Sequence, residues 1–343
     1  MKAAILFKPG DMRVVDVEKP VPGEGEALVQ VKAVGICASD VHWYLDGRIG
    51  DAVMTDPLIL GHEFAGVVAE VGPGVTCVKP GDRVAVEPAI PCYKCDRCAV
   101  GEYNICRHVK FCGTAPTDGA LREFIAWPES LLAPIPDSMS VDEAAMLEPL
   151  AVGVYAVSLV EPILGCTVAI LGAGAIGLSI LQAAKAAGCE QAFITDLIPE
   201  RLELAQKLGA DQVFDASDPG LVASIKAATH DLRPDVVFEA AGENEAVIQA
   251  IDMVRPGGQV VIGGIPYEDV VSFPAAMARR KGLTIRMLRR SNGTLERSIK
   301  LIESGKIDVS SYATHRFPLE RVVEAFDVAR FRRDGAVRVV VEL

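Results

Sequence analysis

Four cysteines, Cys92, Cys95, Cys98 and Cys106, fall within fifteen residues, in PCYKCDRCAVGEYNIC. Thiolates spaced Cys-x2-Cys-x2-Cys turn inward on a tight backbone. A fourth cysteine eight positions on can complete the tetrahedron that Zn²⁺ prefers. Such a site has no open position, so this lobe is expected to hold a structural metal and to do no chemistry. A ferredoxin-type cluster would continue Cys-x3-Cys-Pro, which neither the longer gap nor the residue after Cys106 allows. Disulfides suit secreted chains, and the opening MKAAILFKPGDMRVVDV does not read as a secretory leader. A second set of residues has different chemistry. Cys37 sits in GICASDVH, and His62 with Glu63 in LGHEFAG. Thiolate, imidazole and carboxylate are competent zinc ligands, and three of them plus water make an open, catalytic site. Taken singly, Cys37 could be a packed thiol, His62 a core histidine and Glu63 a solvated turn residue.

A phosphate-binding turn is the third chemical feature. Gly172-x-Gly174-x-x-Gly177 follows the apolar run Val168 to Leu171 and opens a helical stretch. In that setting Gly172 permits the turn, Gly174 lets backbone approach a pyrophosphate, and Gly177 brings helix and strand together. The helix N-terminus then faces the phosphate charge. Asp196, 19 residues past Gly177, ends the next strand, QAFITD. A carboxylate there can accept both ribose hydroxyls and repels a 2′-phosphate, which favours NAD over NADP; Arg201 nearby works the other way. The plain alternative for Asp196 is a turn or N-cap aspartate.

Positioning these groups takes two domains, the default for 343 residues. Residues 1–149 read as short strands cut by Gly and Pro, as in ALVQVKAVGIC, FAGVVAEVG and RVAVEP. From 150 to 286 buried strands alternate with amphipathic helices, the rhythm of a doubly wound parallel sheet and an α/β fold class. Residues 287–343 hold too little apolar sequence for a core of their own and are expected to return to the first domain. The formal charge of −12 argues against a sequence-independent nucleic-acid binder. No apolar run reaches membrane-spanning length, so a cytoplasmic protein is the expectation. The five cysteines outside the lobe include Cys77, Cys112, Cys166 and Cys189, expected to be small buried residues.

The chain resembles the zinc-containing medium-chain alcohol dehydrogenases. GICxSDxH, GHEFAGVVAEVG, KPGDRV, the CxxCxxCx7C lobe and GAGxIG occur in that family's order across essentially the whole chain. Within the family it looks most like the sorbitol (polyol) dehydrogenases, from GRIGD, EPLAVG at Glu148 to Gly153, TDL, THRFPLE and EAFD. The resemblance implies a GroES-like catalytic domain and a Rossmann coenzyme domain, one catalytic and one structural zinc, NAD, and a homo-oligomer, dimer or tetramer. It implies that Cys37, His62 and Glu63 ligate the catalytic zinc, with Glu148 at the zinc-bound water or, alternatively, on the metal itself. Ser39 and His42 match the hydroxyl and imidazole that relay the alcohol proton. Ile176, in the glycine turn, and Ile262, Gly263 and Gly264, in GQVVIGG, fall among the coenzyme contacts. Phe111, Thr114, Glu148 and Arg289 fall where the polyol branch lines its substrate pocket. Relatives usually place an aromatic after that arginine, whereas this chain has Arg290. A second cation there could reach a distant hydroxyl, a carboxylate or coenzyme phosphate, or lie solvated at the surface. The alternatives carried forward are a related threonine or other secondary-alcohol dehydrogenase, a zinc-free reductase of activated alkenes, and a non-catalytic relative that keeps the fold.

Overall fold

A computed structural model describes all 343 residues. The chain divides into two compact units. Met1–Glu148, Leu295–Glu303 and Val309–Leu343 form one, and Pro149–Thr294 with Ser304–Asp308 form the other.

The first unit is built on a seven-stranded sheet centred on the antiparallel pair Glu26–Ile36 and Glu63–Val71. EALVQVKAVGI is almost wholly buried, and its valines suit the pleated, packed surface of a central strand. Arg83–Val86 and Leu132–Pro134 extend the sheet beyond Glu63–Val71. On the other side Arg338–Glu342, from the end of the chain, pairs antiparallel with Glu26–Ile36 and parallel with Ala313–Pro318. Phe64, Trp127, Phe326 and Val341 are among the side chains filling this core. Register matters most for the site. Gly35 stands opposite Glu63 and Val34 opposite Phe64. Continuing that pairing by two residues sets Cys37 across from Gly61, so the strand pair itself brings both ligand-bearing motifs to one end of the sheet.

The second unit is a six-stranded, wholly parallel sheet: β1 Thr167–Leu171, β2 Gln191–Asp196, β3 Gln212–Asp215, β4 Val236–Glu239, β5 Gln259–Ile262 and β6 Thr284–Met287. Its order is β3-β2-β1-β4-β5-β6, the doubly wound arrangement that binds dinucleotides where the order reverses. Strands covered on both faces read as continuous apolar runs, and VVFE of β4 is buried at all four positions. Phe193, Val237, Ile251 and Val260 share one core under the helices. No helix of the chain is long and apolar enough to cross a membrane.

Two sequence expectations need correction. Cys112 and Cys189 are buried, but Cys77 is exposed and Cys166 only half-buried, because both lie in turn-rich segments at the ends of strands, outside either core.

At the glycine turn, Gly172 adopts φ +103°, and a Cβ on Gly177 would lie 1.8 Å from the Gly172 carbonyl oxygen. Gly177→Ala should therefore cost about 1–3 kcal/mol, as overpacked sites do. Urea unfolding of the metal-loaded protein checks this, and an unchanged midpoint would mean the turn has room that this contact denies.

Candidate functional site

The helix Ala38–Asp46 starts directly after Ile36 and has Cys37 as its N-cap. That places its side chain at the N-terminus of the helix. Glu63 begins the partner strand and His62 directly precedes it; they are 0% and 5% exposed. Cys37, His62 and Glu63 each offer a ligand atom, all within 4.8 Å of one another. That spread suits one ion bound by sulfur, nitrogen and oxygen.

Asp40 holds this set together. Its Oδ2 accepts the N–H of Cys37 at 2.9 Å and its Oδ1 accepts the N–H of Gly61 at 3.1 Å. Oδ1 also lies 3.3 Å from Nδ1 of His62, which leaves Nε2 as the nitrogen for a metal. Burial opposes a proton on His62, but Asp40 and then Cys37 outweigh it and raise its pKa well above the ordinary imidazole value. Glu63 has an ionic partner in Arg338, whose Nε is 2.9 Å from Oε2. Arg338 also donates from Nη1 to the Ile36 carbonyl at 3.0 Å. Neither Glu63 oxygen has a hydrogen bond. A fully buried carboxylate with only a skewed ion pair is costly, and a divalent cation beside Cys37 and His62 would offset that cost. A Cβ on Gly35 would fall 2.5 Å from Glu63 Oε2, so the missing side chain is what admits the carboxylate. The sequence by itself marks neither Asp40 nor Arg338 as a functional residue. Asp40 sits inside the quoted GICASDVH motif, three residues past Cys37, which was its one local signal. Arg338 carries only the oddity of an arginine in an apolar strand.

The other candidate residues fall as follows. Glu148, at the start of the helix Leu147–Ser158, is buried. Burial pushes its carboxyl up to about 8, with His62 opposing and Glu63 adding to the shift. Ser39 and His42 are half-buried, three positions apart and so on one face of their helix. His42 Nδ1 lies 3.9 Å from Asp46. The Phe111 ring packs on His62 at 5.1 Å between centroids, and the Thr114 N–H donates to the Phe111 carbonyl at 3.1 Å. Arg289 and Arg290 belong to the second unit. Arg290 is half-buried at φ 54°, a left-handed conformation uncommon for a non-glycine residue.

The four lobe cysteines also converge within 4.8 Å. Cys95 Sγ lies 3.6 Å from Cys98 Sγ and 3.9 Å from Cys106 Sγ. Zinc–sulfur bonds of about 2.3 Å in a tetrahedron put sulfurs about 3.8 Å apart, so the cluster fits a closed metal site and no disulfide. Main-chain N–H groups of Cys92 and His108 point at Cys106 Sγ, as suits a thiolate.

In the second unit Asp196 is buried at the end of β2. Its Oδ2 accepts the Ala173 N–H at 2.7 Å and its Oδ1 the Ile198 N–H at 3.0 Å. The turn role considered for it is thus real, and each oxygen keeps a lone pair for a ribose hydroxyl. Arg201 Nη1 stands 4.0 Å from Asp196 Oδ2. Gly174 caps the helix Ala175–Ala186, leaving its first N–H groups for a phosphate.

A doubly wound coenzyme unit joined to a strand-rich unit with one open and one closed metal-ligand set defines a metal-dependent dehydrogenase. Residues 23–137 match the family model of the alcohol dehydrogenase GroES-like domain, and residues 175–304 match that of zinc-binding dehydrogenase. Sorbitol dehydrogenase of Bacillus subtilis (strain 168) is 37% identical over 99% of this chain and 97% of its own. A solved Escherichia coli oxidoreductase of unknown specificity superposes with a TM-score of 0.94 at 37% identity, covering 99% of this chain and 98% of that one. Two further structures, each with a TM-score of 0.92, differ in coenzyme. An alcohol dehydrogenase from E. coli CFT073 (29% identical) holds NADH, and a candidate zinc-binding dehydrogenase from Sinorhizobium meliloti 1021 (31% identical) holds NADP; this chain is covered fully and each of those to 99%. The chain belongs to the zinc-type medium-chain alcohol dehydrogenase family. It is an oxidoreductase related along nearly its whole length to the sorbitol dehydrogenases.

Asp40→Asn keeps the shape but weakens the grip on His62, and should lower zinc affinity at the open site by about 10–100-fold. Competition with a chromogenic chelator reads this directly; an unaltered affinity would remove Asp40 from the site. Cys98→Ser should act elsewhere, lowering thermal stability while leaving the zinc at Cys37, His62 and Glu63 in place. Metal content and a melting curve on one sample separate the two.

Proposed function

We propose that this chain catalyses the reversible oxidation of a secondary hydroxyl of a polyol, of the sorbitol or xylitol kind, to the ketose, using zinc and NAD. The observation that carries it is the convergence of Cys37, His62 and Glu63, with both Glu63 oxygens left without a hydrogen-bond donor. The sorbitol dehydrogenase relatives support the polyol class over an amino-acid alcohol.

Zinc held by these three side chains would make the substrate hydroxyl acidic, and bound NAD⁺ would accept the hydride from its carbon. The chain's own residues do the rest. Asp40 holds His62 in one orientation, and Arg338 holds Glu63. Ser39 accepts the hydroxyl proton and passes it to His42 on the same helical face, which releases it to solvent. Glu148, a buried carboxyl at the start of its helix, would assist beside the metal. The alcohol loses one proton through Ser39 and one hydride to the coenzyme, leaving the carbonyl. Phe111 packs on His62 and, with Thr114, lines the substrate side.

Asp196 makes NAD the coenzyme, since its carboxylate repels a 2′-phosphate while accepting ribose hydroxyls. Asp196→Ser should reduce the preference for NAD over NADP by roughly tenfold or more, about 1.4 kcal/mol; a parent enzyme that prefers NADP would overturn the assignment. NADH release should be fastest with sorbitol, xylitol, ribitol or galactitol in a panel that includes 2,3-butanediol and L-threonine. It should vanish in His62→Ala, with one of two zinc ions lost. Turnover on L-threonine alone would sink the polyol reading.

A further inference from the structure

One buried carboxylate ties together the two loops that leave β4 and β5. Glu239 ends β4 and is 1% exposed. Its Oε1 accepts the N–H groups of Ala241 at 2.8 Å and Gly242 at 2.7 Å, and its Oε2 accepts that of Gly264 at 3.1 Å. Its main-chain carbonyl takes the N–H of Gly263 at 2.8 Å and shares that of Gly264 at 3.2 Å. The loops also touch backbone to backbone: a Cβ on Gly264 would fall 2.2 Å from the Gly242 nitrogen. Burial pushes the Glu239 carboxyl up, and the N–H groups around it pull it back.

The place of this clasp gives it a function. In a doubly wound sheet of this order the dinucleotide lies across the carboxyl ends of the strands, at the reversal between β1 and β4. Asp196 on β2 marks the adenosine half, so the other half lies over the loops after β4 and β5. Three N–H groups converging on one point form a nest of partial positive charge. The carboxylate's two oxygens serve all three; glutamine offers one oxygen and turns an amide NH2 on the remaining donor, the Gly264 N–H. Aspartate is one methylene too short to serve both loops.

We propose that Glu239 is the positioning residue for the nicotinamide half of the coenzyme, holding residues 240–242 and 263–265 in their binding geometry before the coenzyme arrives. Loops ordered in advance spare binding the cost of ordering them. The proposal rests on the reading that this chain binds a nicotinamide dinucleotide.

The test titrates wild-type protein and Glu239→Gln with NADH and with ADP-ribose, which lacks the nicotinamide. The Kd for NADH should rise about tenfold or more in the variant, as expected for losing charge-assisted hydrogen bonds, while the Kd for ADP-ribose stays within about twofold. Equal weakening of both ligands would mean a merely structural role and overturn the proposal, as would no weakening of either. A wild-type protein that binds neither ligand removes the coenzyme reading and this proposal with it, which a defect confined to the variant cannot do. Hydrogen exchange on the coenzyme-free wild type covers the case of a variant that does not fold. The amides of Ala241, Gly242 and Gly264 should be protected roughly a hundredfold or more, and exchange at unfolded-chain rates would overturn the proposal.

Discussion

Negative charge is buried at one end of the first unit's sheet, and the arrangement there follows from making that burial tolerable. Asp40 and Glu63 are at most 1% exposed, and Cys37 joins them as a thiolate when it binds a cation. An isolated carboxylate in such a place would take up a proton or disrupt the fold. Here each has a positive counterpart: main-chain N–H groups and the His62 imidazole for Asp40, and the Arg338 guanidinium for Glu63. The compensation is incomplete at Glu63, whose oxygens lack hydrogen bonds. That shortfall is what makes the site a place for a divalent ion as well as a packed polar core.

The same device recurs in both units. Asp40 joins the N–H groups of Cys37 and Gly61, Asp196 joins those of Ala173 and Ile198, and Glu239 joins those of Ala241, Gly242 and Gly264. Each is a buried carboxylate at the end of a strand or start of a helix, tying two loop segments that are separate in sequence or direction. Charge-assisted bonds of this kind are stronger than neutral ones, so they can hold loops whose backbone has no strand partner. Gly264, beside Glu239, allows the close approach that its clasp requires, as Gly35 does for the Glu63 carboxylate. Metal ligands and coenzyme loops are thus held by side chains of which Asp40 and Glu239 need touch neither metal nor coenzyme.

The closed cysteine lobe differs in kind. Its ligands come from one short stretch, Cys92 to Cys106, and its only regular elements are the four-residue helix Asp96–Ala99 and the 3-10 turn Tyr103–Ile105. So small a lobe has little core of its own, and a bound metal stands in for one. The open set is the reverse: its ligands come from two strands whose pairing already fixes their separation, so a metal there can serve chemistry without being needed for the fold.

Much of this was legible in sequence because it is local. The Cys-x2-Cys-x2-Cys spacing, the glycine turn after an apolar strand, and the alternation of buried strands with amphipathic helices all lie within windows that short-range geometry governs. The motifs around Cys37 and His62 were readable as ligand candidates, but singly each had a plain alternative. Their convergence depends on the register that sets Gly35 opposite Glu63, a long-range pairing no local pattern encodes. Arg338 reaches Glu63 only because the last strand lies beside Glu26–Ile36. Glu239 looked like any strand-end glutamate until two loops folded over it, and Cys77 and Cys166 looked as buried as Cys112 until the turns that expose them were placed. Composition and spacing by themselves determined which chemistry this chain could perform. Strand register and backbone contact between distant segments decided which side chains share a site, because charge compensation in a buried place depends on distance in space and not along the chain.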